Sequence, residues 1–282
     1  MAKTVLGIDI GGSTTKIVGF REDADGRKLI TPQFVRANDP ITSIYGAFGK
    51  FTMENNLSLA DIDRVMMTGA GSAFMNRPLY EGLRCQTVPE FGSVGRGGLY
   101  LSGLDEAIVV SMGTGTALVY AKNDASGTKT EYLGGTGVGG GTLVGLSRQM
   151  IDVDNIEHIQ QLCREGDLSN IDLRISDMSN RDFYDGVNYD LTASNFGKLS
   201  DLATKNDIAL GIVNMVGETV GMLAVFAARS YGLDRVVLTG NLTALEPIRR
   251  VFDILEATFH IHFIIPENAQ FGTVIGAALS GM

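Results

Sequence analysis

Apolar residues along this chain gather in short runs that end on glycine and in longer stretches with helical spacing. The runs at 4–10, 17–20, 29–35, 65–67, 107–112, 117–121, 235–239 and 261–265 predict strands. Ile44, Phe48 and Phe51 line one helical face behind the start signal Asp39-Pro40 and predict a helix over 41–55. Another helix is expected to open just after Val88-Pro89-Glu90-Phe91, with others over 143–151, 156–162, 246–255 and 272–279 and a short helix start at 191–197. The longest apolar stretch, 208–228, is interrupted by Asn214 and Glu218. Its charge-free part, from Thr219 to Ala228, is too short to span a bilayer, so a buried helix is expected there. Residues 21–28 form a charged turn around Asp25-Gly26, and 166–188, polar and aperiodic, a loop. Strand, helix and strand in alternation indicate an α/β fold.

The chemistry concentrates in the glycine-rich ends of these strands. In the opening stretch Asp9 closes the first strand, a turn Gly11-Gly12-Ser13-Thr14 follows, and Lys16 starts the second strand. Glycines without Cβ let backbone N–H groups approach a polyphosphate, hydroxyls and the lysine add donors, and Asp9 is placed to hold a metal ion near the same phosphates. An ordinary hairpin needs neither the acid nor the lysine. The spacing matches neither the P-loop nor the dinucleotide-binding fingerprint. The pattern recurs at 107–121, where a strand, the turn Gly113-Thr114-Gly115-Thr116 and a second strand follow one another. A glycine run from Gly134 to Gly141, including Gly137, Gly139 and Gly140, then feeds a helix start and is expected to present free N–H groups to an anion. Gly240-Asn241, after the strand at 235–239, again allows close approach of a ligand.

Glu90 is the sole carboxylate between Cys85 and Leu99. Two readings stand for it: a partly desolvated base with a raised pKa, or a first-turn acid that complements the helix dipole. His158, His260 and His262 share no spacing and suggest no metal site.

With 282 residues the chain can hold one large or two ordinary cored domains, and 44% hydrophobic against 20% charged residues is a globular composition. A net charge of −9 without a basic cluster argues against nucleic acid or an anionic membrane as partner. Cys85 and Cys163 form no metal-ligand pattern and fit a reducing cytoplasm, and no signal peptide is discernible.

Taken in order, these pieces resemble the actin-like ATPase and sugar kinase superfamily, and within it the bacterial type II pantothenate kinases. The resemblance rests on Gly7-Ile8-Asp9 through Lys16, Pro89-Glu90-Phe91, Gly113 to Thr116, Gly134 to Gly141, Asp190 to Gly197, Val216-Gly217-Glu218 and Glu267-Asn268 through Gly276. It implies a two-lobed, ribonuclease H-like fold with the nucleotide in the cleft between lobes, divided at 1–105 and 106–282. It implies ATP and Mg²⁺, with Asp9 positioning the ion and Gly11, Gly12, Ser13, Thr14 and Lys16 holding the β- and γ-phosphates. By the same carry-over Gly113, Thr114, Gly115 and Thr116 form the second phosphate loop, and Gly137, Gly139, Gly140, Gly141 and Gly240 surround the adenosine and α-phosphate. Glu90 matches the catalytic carboxylate that accepts the proton of pantothenate's primary hydroxyl, and a homodimer through the long helix is implied.

One position departs from the family pattern. Where its members carry an arginine before the glycine run, this chain has Tyr132, assigned with Thr114 to the substrate side. A tyrosine supplies no fixed positive charge. Arg96 or Arg148 would have to substitute, or activity is weak, or the substrate is another pantothenate-like alcohol. Two further classes stand beside it: a non-catalytic nucleotide or acyl-CoA sensor, which Tyr132 makes conceivable, and the ATPase activators of 2-hydroxyacyl-CoA dehydratases, whose opening hairpin is similar. The activators hold an iron–sulfur cluster on closely placed cysteines that this chain lacks.

Overall fold

The computed structural model describes residues 3–12, 14–23, 26–36, 39–75, 78–178 and 188–282. The chain opens with an antiparallel meander, β1 (Lys3–Ile10), β2 (Thr15–Asp23) and β3 (Gly26–Val35). Residues 21–23 and 26–28 of the expected charged turn belong to β2 and β3, and Ala24 and Asp25 lie outside the described residues. Helix α1 (Pro40–Glu54) starts where expected, because the Asp39 side chain accepts the Thr42 N–H and proline occupies its first turn. Strand β4 (Ile62–Thr68) then runs parallel to β1, β5 (Cys85–Thr87) parallel to β4, and α2 (Glu90–Ser102) follows, ended by Gly103 in the left-handed region.

The second half repeats the plan. Strands β6 (Glu106–Met112), β7 (Thr116–Asp124) and β8 (Gly127–Thr136) form a meander, followed by α3 (Gly140–Ile151) and α4 (Ile156–Cys163). A small ribbon of β9 (Leu173–Arg174), α5 (Ile175–Met178) and β10 (Thr192–Ser194) precedes α6 (Lys205–Ser230). Then β11 (Arg235–Thr239) runs parallel to β6, α7 (Glu246–Phe259) crosses back, β12 (His262–Ile264) pairs with β11, and α8 (Gly272–Leu279) closes the chain. The sheet orders are β3-β2-β1-β4-β5 and β8-β7-β6-β11-β12, the same topology twice.

Each sheet is covered on one face by a helix from its own half and on the other by a helix from the opposite half. Phe48 and Phe51 of α1 pack on Leu6, Ile8 and Ile17, whereas Val18 and Phe20 on the other face meet Val274, Ile275 and Ala278 of α8. Reciprocally, Val94 and Leu99 of α2 pack on Val109, Val119 and Val237 of the second sheet. The exchanged helices cross at glycine. A Cβ built on Gly97 would lie 1.8 Å from the Gly272 carbonyl oxygen, and one on Gly276 1.9 Å from that of Ser93. Glycine at Gly7 of β1 likewise admits the backbone of α8, whose Val274 carbonyl would be 2.4 Å from a Cβ there.

The long helix α6 is apolar and long enough to cross a membrane, but it is packed in the second core, with Leu255 of α7 filling the notch at Gly221. Two local expectations fail. Residues 191–197 are not a helix start but β10 and a turn, because the Asp172 carboxylate accepts the Phe196 N–H at 2.8 Å and an Asn214 amide bond at 2.8 Å. These side-chain bonds replace the helical ladder. Residues 132–136, expected to open the glycine run, belong to β8, and of the loop at 166–188, residues 179–187 lie outside the described residues.

Candidate active site

The first turn lies between β1 and β2, where the Gly11 N–H donates to the Thr14 carbonyl at 3.0 Å. Ser13 lies outside the described residues. Asp9 and Lys16 face each other across the hairpin, so their side chains share one face of the sheet. Burial raises the Asp9 carboxyl above its ordinary pKa, with the lysine's charge opposing, and burial lowers Lys16, with Asp9 opposing. The lysine ammonium is not simply open to a phosphate. It donates to the Gln270 carbonyl at 2.6 Å, tying the first hairpin to the segment before α8.

Glu90 reaches Asp9 through the parallel strands. Asp9 lies beside Thr68, the Thr68 hydroxyl donates to the Val88 carbonyl at 3.1 Å, and the Val88 N–H donates to Met67 at 2.8 Å. That fixes Pro89 and makes Glu90 the first residue of α2, at the carboxyl ends of β1, β4 and β5, where ligands of parallel sheets gather. Glu90 is exposed at this edge, yet desolvation of its carboxyl, and then the charge of Asp9, raise its pKa. A first-turn position favours the ion by roughly 0.3–1 kcal/mol. The raised direction means that desolvation and the charge of Asp9 outweigh the pull of the helix end on the ion.

The second turn is closed more tightly than the sequence suggests. The Gly113 N–H donates to the Gly115 carbonyl at 2.9 Å, the Gly140 N–H to Gly113 at 2.9 Å and the Gly141 N–H to Thr114 at 2.8 Å. The Thr116 hydroxyl donates to the Val138 carbonyl at 2.9 Å. The expectation of free N–H groups at the start of α3 is therefore corrected for Gly140 and Gly141, which grip the turn itself. The glycines also divide into two sets. Cβ atoms on Gly139, Gly140 and Gly240 would fall 2.8, 2.9 and 2.4 Å from Gly115 Cα, the Gly113 oxygen and the Met112 oxygen, so internal packing demands them. Gly12 and Gly137 have open space around that position and φ outside the left-handed region. Nothing inside the protein requires glycine there, which suits the approach of a ligand.

Contacts link the two turns. Lys16 holds Gln270, the neighbouring Ala269 carbonyl accepts the Gly240 N–H at 3.0 Å, and Gly240, at φ +94°, lies against Met112 beside Gly113. Its counterpart after β4 is Gly69, at φ +83°, where a Cβ would stand 2.5 Å from Asp9 Oδ1.

Tyr132 meets the residue that follows Glu90. It stacks on Phe91, ring centroids 3.9 Å apart and planes within 8°. A bulge brings it there: Val119 pairs with Tyr132 but Leu118 with Gly134, and Gly134 takes φ +125°. Neither proposed replacement cation is free. Arg96 donates to the Ser280 hydroxyl beyond α8, and Arg148 pairs with Asp154 at the far end of α3. Gly69, Phe91 and Gln270 carry no role in the sequence reading. A signal existed for Gly69, since Arg64-Val65-Met66-Met67-Thr68-Gly69 and Arg235-Val236-Val237-Leu238-Thr239-Gly240 are nearly one motif written twice. A separate hollow of about 430 Å³, lined in part by Asp190, Asn214 and Glu218, shares no residue with either turn.

The chain is similar to known proteins over most of its length. A model of the family described as Fumble matches residues 106–259, more than half of the chain. A type II pantothenate kinase of Oceanobacillus iheyensis is 30% identical over 223 residues, covering 76% of this chain and 80% of that protein. Among solved structures, component A of (R)-2-hydroxyglutaryl-CoA dehydratase from Acidaminococcus fermentans superposes with a TM-score of 0.68 at 16% identity, over 99% of this chain and 97% of its own. A ROK family glucokinase from Streptomyces griseus, solved with glucose and AMPPNP, gives 0.61 at 15% identity over 98% of each chain. At such identity the last two establish the fold, the duplicated actin-like ATPase architecture.

Proposed function

The chain belongs to the Fumble family, the type II pantothenate kinases, and from that premise we propose that it transfers the γ-phosphoryl group of ATP to the primary hydroxyl of pantothenate or a close relative. With pantothenate the product is 4′-phosphopantothenate, the entry to coenzyme A. The observation that carries this reading is the meeting of Asp9 and Glu90 at one sheet edge, beside a glycine turn that contacts join to its counterpart in the other half.

The lobes are taken as 1–105 and 106–282 in chain order, with the exchanged helices α2 and α8 between them. The first turn, Gly11, Gly12 and Thr14, would cradle the β- and γ-phosphates, with Lys16 lending the ammonium donors that Gln270 leaves unused. Thr114, exposed at the tip of the second turn, and Gly137 would face the nucleotide from the other side. Asp9 brings a hard carboxylate oxygen to the end of β1 beside the first turn, a donor whose chemistry fits Mg²⁺ shared with phosphate oxygens and water. Bound there, the ion would neutralise charge on the transferring phosphates. Glu90, ionised, accepts the hydroxyl proton as the alcohol oxygen bonds to the γ-phosphorus and the bond to the β–γ bridging oxygen breaks, releasing ADP. A homodimer through α6 is part of the proposal, since Leu223 and Phe226 lie exposed on it, as is a cytoplasmic location.

The test is ADP release coupled to an added alcohol. ADP should appear only with ATP, Mg²⁺ and the alcohol together; alcohol-independent ADP release at the same rate would sink the proposal. Asp9→Asn should lower this turnover on the order of 10²-fold or more and blunt its response to added Mg²⁺. An unchanged Mg²⁺ titration would mean that the ion is held elsewhere.

A further inference from the structure

Arg36 lies just past the end of β3, at the same sheet edge as the first glycine turn. Thr15 pairs with Val35, the last residue of β3, so Arg36 stands level with Thr14 of that turn. One position back, Phe34 pairs with Lys16, and Lys16 with Asp9, so these three side chains form one row across β3, β2 and β1. Val35 packs against the core under α1, which sends Phe34 to the opposite face, where Lys16 donates to Gln270 before α8. Arg36 shares that face, its guanidinium carbon 5.8 Å from the Phe34 ring centroid. The pair is open to solvent, Phe34 being 47% exposed. Arg36 makes no ion pair among the described residues, whereas Arg96 is on Ser280, Arg148 on Asp154 and Lys16 on Gln270. Sheet order puts Arg36 and Glu90 on opposite flanks of Asp9, each two strands away.

Resting on the kinase reading above, we propose that Arg36 is a phosphate-binding residue that leaves the Phe34 ring when ATP occupies the first turn and grips the terminal phosphate from the β3 side. Adjacent strands lie about 4.8 Å apart, a distance that an extended arginine side chain covers, so the turn is within its reach. An exposed ring holds a guanidinium weakly, and a phosphate offers it two parallel charge-assisted bonds instead. Lys16 alone is a poor counter-charge for the terminal phosphate, because it faces Asp9 and spends a donor on Gln270. Arg36 supplies the fixed positive charge that Tyr132 does not.

The experiment measures Kd for ATP and for ADP by calorimetry, each with Mg²⁺, and takes kcat and both KM values from alcohol-coupled ADP release, in the wild type, Arg36→Lys and Arg36→Gln. Arg36→Gln should weaken ATP binding and lower kcat, each by roughly tenfold or more, with the Kd for ADP, the KM for the alcohol and the Tm unchanged. Arg36→Lys should recover part of both losses, since it restores the charge without the fork. Equal loss of ATP and ADP affinity in Arg36→Gln, or no loss of either, would overturn the proposal. A rise confined to the KM for the alcohol would overturn it too, by assigning the guanidinium to the other substrate. A wild type that phosphorylates no alcohol, yet loses its preference for ATP over ADP in Arg36→Gln, would sink the kinase reading and leave the phosphate contact standing.

Discussion

Glu90→Gln is expected to lower phosphoryl transfer by on the order of 10²–10⁴-fold, the usual worth of a positioned base, with ATP binding by calorimetry nearly unchanged. Gln keeps the shape and the first-turn position but cannot take the proton. The pH dependence carries the same signature. Because burial and the charge of Asp9 raise the Glu90 pKa, wild-type kcat/KM should climb with pH through a value above the ordinary carboxylate range and then level off. For stability the sign runs the other way. A carboxyl with a folded pKa above its unfolded one disfavours the folded state once pH exceeds the unfolded value, fully so above the folded one. At neutral pH Glu90→Gln should therefore have a Tm equal to or above the wild type. Full activity in this variant would place the base elsewhere.

The second large effect is on the fold. Gly97→Ala and Gly276→Ala each place a methyl group within 2 Å of a backbone carbonyl of the facing helix, at 1.8 and 1.9 Å before relaxation. A flexible side chain could swing aside, but two backbones cannot without parting α2 from α8. Overpacking of cores costs roughly 1–3 kcal/mol and occasionally more, and this crossing belongs at or beyond the top of that range. At about 2–4 °C per kcal/mol, Tm should fall by roughly 6 °C or more. Since α2 carries Glu90 and α8 follows Gln270, activity should fall further than the folded fraction. A wild-type Tm in both variants would show that the crossing is loosely packed.

How much of this was legible beforehand differs between levels. Most strand and helix identities followed from apolar spacing, though β5, β8 and the β9–β10 ribbon did not, and the two hairpin turns were evident because glycines interrupt apolar runs at the same structural point in each half, with Asp9 and Lys16 flanking the first. Glu90 stood out because nothing else acidic lies near it in the chain. The exchange of α2 and α8 was not legible, because Gly97, Gly272 and Gly276 resemble any small residues in a helix until their partners are known. Glycine alone did not tell ligand contact from packing either. Gly139, Gly140 and Gly240 are required by the protein itself, while Gly12 and Gly137 are not, and only the built Cβ separates them. The misassigned segment at 191–197 was decided by Asp172 and Asn214, distant in sequence and buried beneath it. Gly69 could have been found from its motif's repetition at Gly240.

The central claim is that two linked glycine turns hold ATP while Glu90 frees an alcohol oxygen to attack it. The most direct measurement is a single-turnover reaction with ATP labelled in its γ-phosphoryl group, Mg²⁺ and pantothenate or a close relative, followed by mass spectrometry. The expected result is label in a phosphate ester of the alcohol, in step with ADP, in the wild type and far less in Glu90→Gln. Label found only in inorganic phosphate, whichever alcohol is supplied, would contradict the claim.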